Sequence, residues 1–302
     1  MVVKSRFPFV GCAALMTLAL SALTACNKTY DVATPPNMEM AMALRSAVAG
    51  DAGPSVGAGA GPAVLAEPTG WATLKGRFTL SGDAPQPTQL KITGGDTEVC
   101  APGGKKVYSE SLVVGSDGGI RDVLVYCTTK LDPAEPFTHP SAAPGIGGDV
   151  EFDQKECVFL SHVFGMRTGQ TLKILNSDPV GHNTNIVGTP INQIVAAGSS
   201  INFTPKKEWK KPNPVSCSIH PWMSSNLIVR DNGYFAISDA AGNFEIPNLP
   251  AGVELEFRIW QEAGTISGIE IEGAPVKKGR FKMTLPPGGT EFAVAVDAST
   301  YK

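Results

Sequence analysis

The sequence predicts an all-β protein, a Greek-key β-sandwich with an additional or interleaved β-sandwich segment. Three observations point that way. From Trp71 onward, apolar and polar residues alternate over short runs, the period-two signature of half-buried strands. Turn residues separate those runs, and 57 of the 302 residues are Gly or Pro, which suits many short strands better than long helices. No stretch of this region sustains a 3.6-residue period for three turns.

The N-terminus reads differently. Lys4 and Arg6 precede an apolar stretch, Phe7 to Ala25, that ends in small residues, as a secretory signal does. Its last four residues, Leu23-Thr24-Ala25-Cys26, resemble the bacterial lipobox. That resemblance implies cleavage before Cys26, lipidation of its sulfur and a chain held to the membrane by acyl groups, facing the periplasm or the cell surface. Asn27 stands where many inner-membrane lipoproteins carry Asp, which favours the outer membrane. Residues 1–26 are thus expected to be a signal peptide. Residues 27–71 contain Thr34-Pro35-Pro36 and a run from Gly50 to Pro62 built almost entirely of Gly, Ala, Pro and Ser, and are expected to form a disordered tether.

About 230 residues remain, enough to bury a sizeable core. Charged residues make up 18% and the net charge is −3, the wrong sign for a general nucleic-acid binder. Strands are expected at Thr73–Leu80, Arg121–Cys127, Thr171–Leu175, Ile201–Thr204, Asn226–Arg230, Asn243–Ile246, Val253–Trp260 and Phe281–Leu285. Ser81-Gly82-Asp83, Asp117-Gly118-Gly119, Asp231-Asn232-Gly233 and Ala241-Gly242-Asn243 suit the tight turns between them.

The chemistry gathers in two short segments. Val215 to Met223 holds Cys217, His220 and Met223 in a Cys-x2-His-x2-Met loop, and His182 lies 35 residues upstream of Cys217 within Asn176-Ser177-Asp178-Pro179-Val180-Gly181-His182-Asn183. Two imidazoles and a thiolate suit a trigonal copper site, and a thioether is soft enough for a long axial bond. In this the sequence resembles the cupredoxins, the blue-copper electron carriers. The loop is similar to the amicyanin type, and the upstream segment to the edge of plastocyanin-like members. The resemblance covers roughly residues 150–232 and implies one mononuclear type 1 copper ion, with His182, Cys217, His220 and Met223 as ligands. It also implies that Asn183 ties the two ligand loops together.

Cysteine parity keeps another reading open. Apart from Cys12 and Cys26 the chain has Cys100, Cys127, Cys157 and Cys217, an even number that fits two disulfides in an oxidising compartment. With Cys217 committed to copper, Cys127 reads as a buried thiol beside Val123 and Val125, and Cys100 with Cys157 is the expected bridge. His162 reads as a structural histidine at a strand end, with a place among the ligands as the alternative. His139 lies in a loop and is given no role.

A second resemblance follows the metal loop. Asp239-Ala240-Ala241-Gly242-Asn243-Phe244 and Leu249-Pro250-Ala251-Gly252 look like the turns of a carboxypeptidase regulatory-like sandwich, whose opening strand would be Gly76 to Gly82. The expected layout is a cupredoxin-like sandwich over 72–232 and a β segment over 233–302, with strands from both ends sharing one composite structure as the alternative.

The function these readings imply is single-electron transport between redox proteins of the cell envelope, without catalysis. A copper chaperone or store, or a metal-free binding module, are the alternatives. No hydrolase or nucleotide-binding motif competes. Electrons are expected to leave through a solvent-facing edge of His220 framed by Pro221 and Trp222. The lysines of Lys206-Lys207-Glu208-Trp209-Lys210-Lys211 read either as protection of a strand edge or as steering of an acidic partner.

Overall fold

The computed structural model describes residues 65–301. The expected signal peptide, Cys26 and most of the expected tether lie outside the described residues. Helix among the described residues amounts to Thr97–Cys100 and three 3₁₀ turns. The rest is strand and connection, arranged in two sandwiches.

The strands that matter for the site are β1 (Trp71–Ser81), β2 (Leu124–Cys127), β3 (Val150–Lys155), β4 (Val158–Phe159), β5 (Val163–Arg167), β6 (Leu172–Asn176), β7 (His182–Ile186) and β8 (Asn192–Val195). They continue as β9 (Ser200–Phe203), β10 (Asn213–Ser216), β11 (Ser224–Arg230), β12 (Phe235–Ile237), β13 (Asn243–Pro250), β14 (Glu254–Trp260), β15 (Arg280–Thr284) and β16 (Gly288–Asp297).

The first sandwich is built from both ends of the described chain. One sheet has the order β13-β1-β16, the other β12-β2-β14-β15. In the first sheet β1 runs parallel to β16, from Ala72 opposite Gly288 to Ser81 opposite Asp297. Leu74, Phe78, Val125, Cys127, Ile246, Phe257 and Val294 meet between the sheets, and the rings of Phe78 and Phe244 stack with centroids 5.5 Å apart. The turn into β13 is set by Asp239, whose carboxylate accepts from the amides of Ala241 and Asn243, both at 2.9 Å. Gly242 there has φ +81°, and a Cβ would lie 2.1 Å from the carbonyl oxygen of Phe78, so the turn requires glycine.

The second sandwich occupies 150–230, with sheets β9-β6-β3-β4 and β8-β7-β10-β11-β5. The parallel pairs β3/β6 and β5/β11 cannot be joined by hairpins, so the chain crosses to the facing sheet between them. Phe152, Phe164, Met166, Leu172, Ile174, Leu227 and Val229 fill the space between the layers. This sandwich is an insertion. The chain leaves the first sandwich after β2 and returns at β12, where Phe235 pairs with Tyr126 and the Cys127 amide donates to Tyr234 O at 2.9 Å. The sheets therefore interleave, and a boundary at residue 232 does not follow them. The physical reason is that β1 and β2, which precede the insertion, find their partners only among the strands after it.

The two sandwiches share a third apolar layer. Alternation along β2 sends Val125 and Cys127 into the first core and Leu124 and Tyr126 against Val163 and Ile228 of the insertion. Gly165 lies in this contact, where a Cβ would meet the Phe235 ring at 2.4 Å. Arg230, buried at the same junction, donates to Cys127 O at 2.9 Å and Trp209 O at 3.0 Å, pairs with Glu208 and lies over the Tyr126 ring.

Residues 65–71, expected to be part of the tether, belong to the first sandwich. Leu65 packs against the first core, and the amides of Thr69 and Ala251 donate to Ala251 O and Gly70 O, each at 2.9 Å. These residues have apolar surface to bury and a sheet edge to pair with.

Candidate metal centre

Every candidate ligand comes from one end of the inserted sandwich. His182 opens β7, and Cys217, His220 and Met223 lie on the loop between β10 and β11. The β7–β10 ladder, Asn185 opposite Ser216 and Ile186 opposite Val215, places the start of β7 beside the end of β10. The loop is closed by the Met223 amide donating to His220 O at 2.9 Å and the Cys217 amide donating to Met223 O at 3.3 Å. All four side chains are buried.

His182, Cys217 and His220 each offer a donor atom within 4.8 Å of the others. The Nδ1 atoms of the two histidines face each other at 2.8 Å, and Cys217 Sγ lies 3.9 Å from His220 Nδ1. Each ring is held from its far side. His182 Nε2 lies 2.7 Å from Asp178 Oδ2, and His220 Nε2 lies 3.1 Å from Asp96 Oδ2. An ionised carboxylate only accepts, so each Nε2 carries the proton and each Nδ1 presents a lone pair. Two lone pairs at 2.8 Å repel unless a cation lies between them. Burial draws the His182 pKa below the ordinary value, more strongly than its bond to Asp178 raises it. The ring is held neutral, the form that binds metal.

The sulfur is held by backbone donors. Cys217 Sγ accepts from the amides of Asn183 at 3.3 Å and His220 at 3.4 Å. Asn183 Oδ1 accepts from the Ser218 amide at 3.2 Å, and its side-chain nitrogen donates to Asn192 at 3.0 Å. Asn183 therefore links β7, β8 and the ligand loop. Met223 is buried in the same core as Cys217 and Trp222. The chemistry and placement of this donor set resemble a type 1 copper site.

Cys100 and Cys157 are joined by a disulfide, S–S 2.06 Å, while Cys127 and Cys217 are free and buried. Burial pushes the Cys127 thiol up to about 11. His162 is not brought to the cluster; its Nε2 faces the Glu262 carboxylate. His139 bonds Ser141 through Nδ1 and meets the edge of Trp71, away from the metal end.

The expected solvent-facing edge of His220 is not found. His220 is only 2% exposed and Trp222 8%, with only Pro221 of the three at the surface. The connection between β1 and β2 crosses over the loop, where Asp96 bonds His220 and the disulfide pins the segment to Cys157. A cavity of about 550 Å³ lies between this connection and the loop, with Leu90, Tyr108, Phe159, His162, Trp222 and Met223 in its lining. The lysine segment lies away from the loop. The Trp209 amide donates to Val229 O at 2.8 Å, about 20 Å along β11 from the ligand loop. Nearness in sequence misleads there because β10 and β11 run away from the site.

Sequence reasoning assigned no role to Asp178 or Asp96. Asp178 had a visible signal, lying four residues before His182. Asp96 had none, because only the crossing of the β1–β2 connection brings it to His220.

No protein-family model matches the chain, and no curated protein matches its sequence. Among solved structures, parts of the chain are similar to copper-containing nitrite reductase from Thermus scotoductus, at 20% identity and TM-score 0.24, over 27% of this chain and 22% of that one. They are similar also to amicyanin from Paracoccus versutus, at 13% identity and TM-score 0.25, over 35% of this chain and 97% of that one. A purple cupredoxin from Nitrosopumilus maritimus matches at 18% identity and TM-score 0.24, over 27% of this chain and 99% of that one. The chain thus spans less than a quarter of the nitrite reductase. Overlaps of this quality leave the chemistry to be read from the donor atoms themselves.

Proposed function

We propose that this chain is a type 1 copper protein that carries single electrons in the cell envelope, anchored by lipid on Cys26 and serving redox-protein partners. The observation that carries the reading is the pair of Nδ1 atoms facing each other beside the Cys217 sulfur, with both rings fixed from behind by carboxylates. His182, Cys217 and His220 would hold the ion, with Met223 as the weak axial donor. Copper would supply the one-electron couple; the chain supplies a fixed geometry that reorganises little between Cu(I) and Cu(II). The first sandwich we read as a carboxypeptidase regulatory-like scaffold that presents the copper sandwich, with no chemistry of its own.

Titration with Cu(II) tests this. The expected result is one copper per chain and an intense visible thiolate-to-copper band. In Cys217→Ser that band disappears while circular dichroism shows the fold retained. Cu(I) binding without a stable blue Cu(II) form would replace the carrier reading with a chaperone or store, and no binding at all would overturn both.

A further inference from the structure

Cys157 stands at a junction behind His182. Its sulfur is bonded to Cys100, its amide donates to Asp178 Oδ2 at 2.8 Å, and its carbonyl accepts from Trp222 Nε1 at 3.0 Å. The same Asp178 oxygen faces His182 Nε2. The sulfur of Cys157, a carboxylate oxygen of Asp178 and a ring nitrogen of His182 lie within 4.8 Å of one another, and all three residues are buried. Thiolate, carboxylate and imidazole at that separation make a ligand set. Here the thiolate is withheld as half of a disulfide.

We propose that Cys157, Asp178 and His182 form a second, latent metal site for a soft, thiophilic cation, Cu(I), opened when the Cys100–Cys157 disulfide is reduced. The reductant is a thiol. Its thiolate attacks Cys100 Sγ, the bond to Cys157 breaks, and Cys157 leaves as the thiolate. A second reductant thiolate then attacks the reductant sulfur of the mixed disulfide and releases Cys100. One reductant disulfide is formed and two protein thiols are recovered. Cys100 is buried as well, at the end of the short helix whose Thr97 and Glu98 are exposed, so the reductant reaches it when that helix opens. The His182 ring stands between the two sites, its Nε2 toward Asp178 and its Nδ1 toward His220. A cation on Nε2 displaces the proton that this nitrogen donates to Asp178; the proton passes to Nδ1, which then donates to His220 Nδ1, so a neutral His182 serves one site at a time. This inference goes beyond the electron-carrier reading and does not need the first site to be filled.

The test removes the first site with Cys217→Ser and opens the second without any reductant. In that background Cys100→Ser leaves Cys157 as the free thiol, and Cys157→Ser leaves Cys100. Cu(I) affinity is measured anaerobically against a chromogenic Cu(I) chelator. The Cys100→Ser/Cys217→Ser protein should bind one Cu(I), about 100-fold more tightly than the Cys157→Ser/Cys217→Ser protein, and Asp178→Asn should weaken it by about 10-fold. Equal affinities in the two proteins, indifference to Asp178→Asn, or no binding would each overturn the proposal. Both proteins lack the disulfide, so a general loosening affects them alike. If either fails to fold, the Cys217→Ser chain with its disulfide intact and then reduced gives the same comparison: one Cu(I) taken up only on reduction supports the site, and equal uptake rejects it. The carrier reading is tested separately, by the blue band of the chain with Cys217 present and the disulfide closed.

Discussion

Asp96 and His220, 124 residues apart in the chain, meet at 3.1 Å, and the carboxylate covers the imidazole nitrogen that would otherwise face solvent. Asp96 itself is partly exposed, so its replacement disturbs little packing. It should act on the metal instead. In Asp96→Asn the ring keeps an acceptor but loses a negative charge, and in Asp96→Ala it loses both. Cu(II) affinity should fall about 10-fold in the first and about 100-fold in the second, with a smaller loss for Cu(I) and hence a higher reduction potential. Chelator competition in both oxidation states checks this; unchanged Cu(II) affinity in Asp96→Ala would remove Asp96 from the site.

Met223→Leu preserves volume in a buried position and should cost under about 1.5 kcal/mol of stability. Copper should still bind. Loss of the thioether removes a weak donor that favours Cu(II), so the potential should rise. Voltammetry of the copper-loaded variant decides, and an unchanged potential would mean that Met223 closes the loop without reaching the metal.

The His162–Glu262 pair gives a pH signature. Burial lowers the His162 pKa, but the bond to Glu262 and its charge outweigh this and leave it raised. The bond from His162 holds Glu262 below its ordinary value despite burial. The histidine contribution is complete below about pH 6.5 and is lost as pH rises through the raised value. The glutamate contribution is complete above about pH 4.3 and is lost as pH falls through the lowered one. Glu262→Gln should therefore destabilise the fold most between those limits, by on the order of 1 kcal/mol given the partial exposure of Glu262. Urea melts across the pH range should show the difference shrinking at higher pH.

Arg230 joins the two sandwiches through carbonyls of Cys127 and Trp209. Arg230→Met keeps the length of the side chain and leaves both carbonyls and Glu208 without their donor. A loss of about 2–4 kcal/mol is expected, read as a lower denaturation midpoint. Copper binding to the surviving folded protein should be unchanged, because the ligands lie at the other end of β11.

Much of this was legible before any coordinates. The donor set at His182, Cys217, His220 and Met223 was visible because a tight loop brings residues three apart around one point. The strands with regular alternation, such as Glu254–Trp260, were visible for the same kind of local reason. β16 was not anticipated, since its inward Phe292, Val294 and Val296 alternate with Ala293 and Ala295 and with little polarity. The cover over His220 was illegible because it is made by chain crossing, not by local pattern. The remoteness of the lysines was equally hidden, since a strand carries sequence neighbours apart as readily as it carries distant residues together.

The parallel pairing of β1 with β16 also orders the assembly of the chain in time. A polypeptide appears from its N-terminus, so β1 waits without its parallel neighbour until the last strand is made, whereas every strand of the inserted sandwich is complete once Arg230 has emerged. The guest can thus condense while its host is still open. Loss of Gly288 to Asp297 would spare all four donors and leave the long flank of β1 unpaired, a ready template for another chain. The integrity of β16, far from the candidate metal centre, would then decide whether β1 stays covered or is open to another chain.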